Sequence, residues 1–117
     1  MKLEDLKAYQ VAMEIGEMVY SAAETWEYFD KKTLGSQIVR SADSIAANIS
    51  EGYGRFSYKE EKMFFYYARG SALETKTWLH KARSRNLIST EQISLLLGKT
   101  EFCIALLNGL IKATGSF

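Results

Sequence analysis

The sequence predicts an all-α fold, an antiparallel four-helix bundle, and three observations carry the prediction. Apolar residues recur every three or four positions through four segments, which is the period of a helix with one buried face. No segment alternates with the period of two that a half-buried strand requires. The 117 residues contain no proline, so nothing interrupts long helices. Short turns near residues 53–56 and 86–88 force antiparallel neighbours, hence an up-down-up-down order.

In the first segment two rows step by three and four. One is Leu6, Tyr9, Met13, Gly16, Tyr20 and Ala23; the other is Ala8, Ala12, Ile15, Val19, Ala22 and Trp26. Adjacent rows give a wide buried face on a helix from about Leu3 to about Thr25. Residues 26–33 break the pattern and read as a loop, with Trp26, Tyr28 and Phe29 as plugs over the bundle end.

A second helix starts near Thr33 or Leu34 and turns Leu34, Ile38, Ser41, Ile45, Asn48 and Ile49 inward. Gly52 and Gly54 are expected to end it by adopting the left-handed conformation. Ser57 and Glu60 form a capping box for a third helix that runs to about Arg85, with Phe64, Ala68, Ser71, Thr75, Trp78 and Ala82 inside. The small residues Ala68, Gly70, Ser71 and Ala72 at its middle favour close approach by another helix. Asn86 and Leu87 turn the chain. Ser89 and Gln92 form a second capping box, opening a last helix with Ile93, Leu96, Leu97, Thr100, Ile104, Leu107, Leu110 and Ile111 on its face.

Composition bounds the rest. Apolar residues make up 47% and charged residues 25%, ordinary globular values for one domain spanning residues 1–117. Uninterrupted apolar runs reach at most six residues, at 63–68 and 102–107, so no membrane span or signal-peptide core is expected, and the default location is the cytoplasm. A single cysteine, Cys103, excludes an internal disulfide. A single histidine, His80, leaves little from which to build a zinc site, and no cofactor or metal is expected. The net charge of +1 hides an asymmetry. Residues 1–30 carry seven acids against two lysines, and residues 57–86 carry seven bases against three acids. Such a chain can meet a polyanion with one face, or pair its acidic and basic helices internally.

The bases of the third helix form a line. With Lys62 at zero and about 100° per residue, Arg69, Lys76 and Arg83 fall at about −20°, −40° and −60°. The expected core row centres near about 200°, so the line should face away from the core. It is roughly 32 Å long, and Arg55 extends it into the preceding loop. Tyr58, Tyr66 and His80 lie on the same side, with Lys59 at its edge, and no acid of this helix falls within the arc. Cations spaced along a rod with aromatics between them can follow phosphates and stack on unpaired bases. A solvated helix face is the plain alternative.

A polar border on the second helix, with Gln37, Arg40, Ser41, Ser44, Asn48 and Glu51, is suited to setting alignment between helices or subunits. Glu74 is a candidate partner for Arg40 or Gln37. Catalysis is not expected. The serines lack a nearby histidine and a glycine-rich elbow, no Glu-x-x-His motif is present, and the Gly52–Arg55 stretch follows a helix rather than a strand and lacks the P-loop lysine.

Together these residues resemble a known family. Gln37-x-x-Arg40-Ser41-x-x-Ser44-Ile45-x-x-Asn48-Ile49-x-Glu51-Gly52, then Gly54-Arg55, then Ala68-Arg69-Gly70-Ser71-x-x-Glu74, is similar to the four-helix-bundle proteins encoded in intervening sequences of bacterial 23S rRNA genes. Leu3-x-Asp5-Leu6-x-x-Tyr9-x-x-Ala12 fits as well. The resemblance implies a left-handed bundle assembling into a ring-like homopentamer. It also implies kinship with accessory proteins of diversity-generating retroelements, which bind nucleic acid through basic surfaces and engage a reverse transcriptase. On this footing Gln37, Arg40, Ser44, Asn48, Glu51, Ser71 and Glu74 should hold the bundle or its subunit contacts. The family's prolines before the second helix and after its Ser-Ile pair are missing, which should loosen the linker and straighten the helix.

The leading expectation is a non-enzymatic oligomer binding nucleic acid, RNA or single strands, with Arg55, Lys62, Arg69, Lys76 and Arg83 on phosphates and Tyr58 and Tyr66 stacking. The alternative is a scaffold that docks a protein such as a reverse transcriptase or a ribosomal component.

Overall fold

The computed structural model describes residues 1–115 and is all-α, with four long helices and no strand among the described residues. These are α1 (Lys7–Ala23), α2 (Ser36–Tyr53), α3 (Tyr58–Ser84) and α4 (Thr90–Ala113). They form a rod of 49 × 23 × 21 Å. α2 and α4 each pack against both α1 and α3, so α1 and α3 stand at diagonal corners. Ile15, Ile38, Ile45, Ile49, Leu79, Leu96 and Leu107 are fully buried along the axis. Each contributes about 1.5–3 kcal/mol on removal from water.

The amino-terminal helix is shorter than its periodicity predicts. Leu3–Asp5 form a separate 3-10 turn, and Leu6 is extended. Of the two predicted rows, Ala8 through Ala22 and Trp26 is buried, whereas Met13 and Tyr20 of the other are exposed. Gly16 and Ala23 are the buried members of that row.

The expected loop at 26–33 is a correction. The chain is helical from Tyr28, and Lys31–Gly35 winds as a wider π-helical turn that runs directly into α2. Gly35 permits this: a Cβ there would stand 3.3 Å from the Asp30 carbonyl oxygen and 3.6 Å from the Trp26 ring. The linker is therefore wound up rather than loosened by the missing proline. Trp26 is the plug that was expected, buried with its indole N–H donating to the Leu87 carbonyl at 2.9 Å. Tyr28 and Phe29 are not plugs, being 75% and 74% exposed.

The glycines ending α2 act differently from expectation. The helix continues through Gly52 to Tyr53, and neither Gly52 nor Gly54 takes a positive φ. Gly52 is buried because α3 crosses there: an added Cβ would meet Phe64 Cβ at 3.0 Å, the Glu61 carbonyl oxygen at 3.1 Å and Phe65 Cε1 at 3.2 Å. The left-handed residue is instead Asn86 (φ 56°), at the turn between α3 and α4. The serine half of each predicted capping box forms. Ser57 Oγ accepts from the Glu60 amide at 3.0 Å, and Ser89 Oγ accepts from the Gln92 amide at 3.2 Å.

On α4 the predicted face is buried or half-buried, and Cys103 joins it. This helix is also long and apolar enough to cross a membrane by length and composition, although only 28% of its most apolar stretch is buried. The short apolar runs gave no sign of this, because scattered polar residues such as Lys99, Thr100 and Glu101 interrupt an otherwise apolar helix.

Candidate nucleic-acid interface

The placement of the basic line follows from which face of α3 is buried. Two heptad rows of the sequence compete for the interior: Phe64, Ser71 and Trp78, or Phe65, Ala72 and Leu79. The second row wins, joined by Ala68, Thr75 and Ala82. Close packing at Gly52 draws Phe65 inward, while Phe64 and Trp78 stay half-buried. The buried row centres near about 250° rather than 200° in the frame with Lys62 at zero. The four bases therefore lie only about 50–110° from the core direction. They do not look away from the core, as the sequence predicts, but flank it along the seam with α4.

Lys62, Arg69 and Lys76 are accordingly half-buried, and α4 supplies partners that no inspection of α3 alone could show. Lys76 forms an ion pair with Glu101. Arg69 donates from Nη1 to Asn108 Oδ1 at 2.8 Å, and its guanidinium lies 4.9 Å from the centroid of the Tyr66 ring. Asparagine is neutral, so the Arg69 charge stays uncompensated. Lys62 makes no ion pair among the described residues. Arg83 is exposed, 3.0 Å from His80 Nδ1. At the other end Arg55 pairs with Glu51 at 2.8 Å and caps the Phe64 ring at 4.7 Å.

The two predicted stacking residues are both exposed. Tyr66 already carries Arg69 on its ring, and Tyr58 lies beside the end of α4, where its Cβ is 3.4 Å from the place a Gly115 Cβ would occupy. Sequence reasoning passed over Phe56, which is fully exposed in the turn next to Arg55. An aromatic residue between Arg55 and Ser57, outside both helices, was the available signal.

The polar border of α2 works mostly within its own helix. Ser44 donates to the Arg40 carbonyl (2.8 Å), and Asn48 Nδ2 donates to the Ser44 carbonyl (2.9 Å). Gln37, Arg40 and Glu51 are exposed, Ser71 is half-buried, and Ser41 is buried. Glu74 does not pair with Arg40 or Gln37; it accepts from the Trp78 indole at 3.1 Å on its own helix. A buried polar link between α2 and α3 joins Ser41 to Thr75, whose hydroxyls are 2.9 Å apart. Thr75 Oγ1 is also 2.8 Å from the Ser71 carbonyl, and Ser41 donates to the Ile38 carbonyl at 3.1 Å. No buried side-chain polar atom among the described residues lacks a partner.

The acids of α1 keep away from the basic line. Glu14 pairs with Lys99 of α4, whose hydrogen bond holds the Glu14 carboxyl below its usual range. Asp43 of α2 faces a groove of about 330 Å³ with Glu17, and burial, then the Glu17 charge, raise its pKa. Cys103 is buried and its thiol is pushed up to about 12, which removes it as a nucleophile at neutral pH. No group of three or more metal-ligating side chains occurs among the described residues.

A family model described as 23S rRNA-intervening sequence protein matches residues 4–109. The chain belongs to this family. It is similar to a crystal structure of a protein of unknown function from the S23 ribosomal protein family of Bacteroides thetaiotaomicron. The two share 23% identity over 91% of this chain and 99% of that one, with a TM-score of 0.81, which shows a common fold. No curated relative matches. The Asn48-Ile49-x-Glu51-Gly52 turn and the Gly70-Ser71-x-x-Glu74 helix thus marked membership correctly. In this 23S rRNA-intervening sequence protein Gly52 lies buried against α3, whereas Glu51, Gly70 and Glu74 are exposed.

Proposed function

We propose that this protein is a non-enzymatic, oligomeric bundle of the cytoplasm that binds nucleic acid weakly, as RNA or single strands, along the α3–α4 seam. One observation carries the reading. Among the described residues Lys76 is the one base of α3 with a carboxylate partner from another helix, and Glu14 and Glu17, the two acids of α1, stand diagonally across from α3. A positive track therefore survives in the single chain. The partly exposed Lys76–Glu101 pair is worth at most about 1 kcal/mol, so a phosphate can displace Glu101. Arg55, Lys62, Arg69, Lys76 and Arg83 supply phosphate contacts, and Tyr58 and Tyr66 supply faces for unpaired bases. The helices run up-down-up-down with a left-handed twist. Copies assemble into the ring of five that the family resemblance implies, with Gln37, Arg40 and Glu51 exposed for subunit contacts.

The test is the salt dependence of binding to a single-stranded RNA. Changing Lys62, Arg69 and Lys76 together to glutamine should lower the slope of log affinity against log salt by about two. The helical circular dichroism should be retained. An unchanged slope rejects the seam as the site.

A second reading has an observation of its own. The outward face of α3 exposes Met63, Tyr67 and Leu73 around Gly70, a surface suited to a protein such as a reverse transcriptase or a ribosomal component. Capture of such a partner that persists after nuclease treatment would favour it.

A further inference from the structure

The π-helical turn at Lys31–Gly35 decides where two cations stand. With α-helical winding throughout, at about 100° per residue, Lys31 and Arg40 would lie on opposite sides of their helix, about 180° apart. A π turn rotates less per residue, and both side chains line one groove of about 410 Å³ between α1 and α2. Gly35 is buried at this groove, where a Cβ would press on the Asp30 carbonyl oxygen at 3.3 Å, so the wide turn depends on glycine. Such turns are rare and occur mostly at functional sites.

The groups around this groove are unused within the chain. Arg55, Lys76 and Lys99 each pair with a carboxylate. Among the described residues Lys31 and Arg40 enter no ion pair, hydrogen bond or ring contact through their side chains, and neither do Tyr20, Glu24 and Ser36. Two cations face one carboxylate, Glu24, so the lining is net positive. Its walls are apolar, with Val39 half-buried on α2 and the Tyr20 ring, 55% exposed, on α1. The volume falls within the range of about 300–1,000 Å³ that small-molecule sites occupy.

We infer that this groove binds a small organic phosphate with a flat apolar body. The phosphate is held by Lys31, Arg40 and the Ser36 hydroxyl, because two cations and a donor match a dianion better than a carboxylate. The body lies between Tyr20 and Val39, where the ring offers a stacking face. Glu24 accepts from an N–H or hydroxyl of the ligand and repels a bare polyanion. The inference goes beyond the nucleic-acid reading and does not rest on it, since the α1–α2 edge of the bundle is opposite the α3–α4 seam. Arg40 is also proposed for subunit contacts, whereas Lys31 and Tyr20 are not, so those two carry the test.

Isothermal titration calorimetry on the full chain with AMP, phenyl phosphate, adenosine and inorganic phosphate decides it. At least one of the two organic phosphates should bind saturably, about tenfold or more tighter than inorganic phosphate, which lacks the body, and than adenosine, which lacks the anion. Lys31→Gln should weaken that ligand about fivefold or more. Tyr20→Ala, at an exposed position that leaves the core intact, should narrow its lead over inorganic phosphate. No saturable binding of either organic phosphate, binding no tighter than inorganic phosphate, or an unchanged affinity in Lys31→Gln overturns the inference. The triple glutamine variant of Lys62, Arg69 and Lys76 should keep the wild-type affinity for the small phosphate. Loss there with Lys31→Gln unaffected would move the phosphate to the α3–α4 seam and reject the groove. The salt slope of RNA binding in Lys31→Gln should match wild type, so either reading can fail without the other.

Discussion

α3 makes two contacts of opposite kind, and comparing them shows where this chain is specified tightly and where it is left free. Toward α2 it is packed without slack. Gly52 lies under Phe64 and Phe65, and the Ser41 and Thr75 hydroxyls meet in the buried interior. Toward α4 the outer seam is a polar clasp, Arg69 on Asn108 and Lys76 on Glu101, half open to water. Steric fit holds the first contact, and its members cannot be exchanged. The second is held by charges that solvent screens, and it can be opened by a competing anion. Ser41 and Gly52 of the family motif lie at the rigid contact, and Arg69 and Lys76, proposed to bind nucleic acid, lie at the soft one.

The largest expected effect falls on the rigid contact. Gly52→Val should cost about 2–3 kcal/mol in urea denaturation, because a side chain would have to displace the Glu61 backbone and both phenylalanines. A loss below half a kcal/mol would mean that α2 and α3 are not locked together there. Thr75→Val comes next, with an expected cost of about 1–2 kcal/mol. It keeps the shape but removes the hydroxyl shared between Ser41 and the Ser71 carbonyl. By contrast, the triple glutamine change in the seam should alter stability by less than about 1 kcal/mol while it weakens polyanion binding. A large destabilisation would show that the seam is structural and erase the distinction between the two contacts.

The smallest effect concerns Asp43, on the far side of the bundle. Its raised pKa means that the folded chain holds a proton that the unfolded chain has already released. Stability should therefore fall as pH rises through the window just above the ordinary aspartate range. Asp43→Asn should flatten that decline and stabilise the protein at neutral pH by about a few tenths of a kcal/mol, since the group is partly solvated. Glu14 acts with the opposite sign. Its lowered pKa contributes stability that is present above the ordinary glutamate range and lost as pH falls through the folded value. Midpoints of thermal unfolding between pH 4 and 7 for wild type, Asp43→Asn and Glu14→Gln separate the two contributions. A wild-type decline that survives unchanged in Asp43→Asn would assign it to another group.

What the sequence determined by itself was whatever depends on local periodicity and local hydrogen bonding. The four helices, the Ser57 and Ser89 caps, the turn at Asn86 and the burial of Trp26 all follow from neighbours three or four residues apart. Family membership was legible for the same reason, since its motif is a set of spacings on two helices. What tertiary structure decided was rotation and purpose. α3 has apolar residues at both 64/71/78 and 65/72/79, and a one-residue choice turned the whole helix and carried its cations from the open face to the α4 seam. The close packing of Phe64 and Phe65 over Gly52 accompanies that choice. The same crossing showed that Gly52 serves close contact rather than a left-handed turn, and that Glu74 turns to Trp78 on its own helix. Periodicity defines a helical face only to within about one residue, or 100°, and only the neighbour that packs against it removes the remainder.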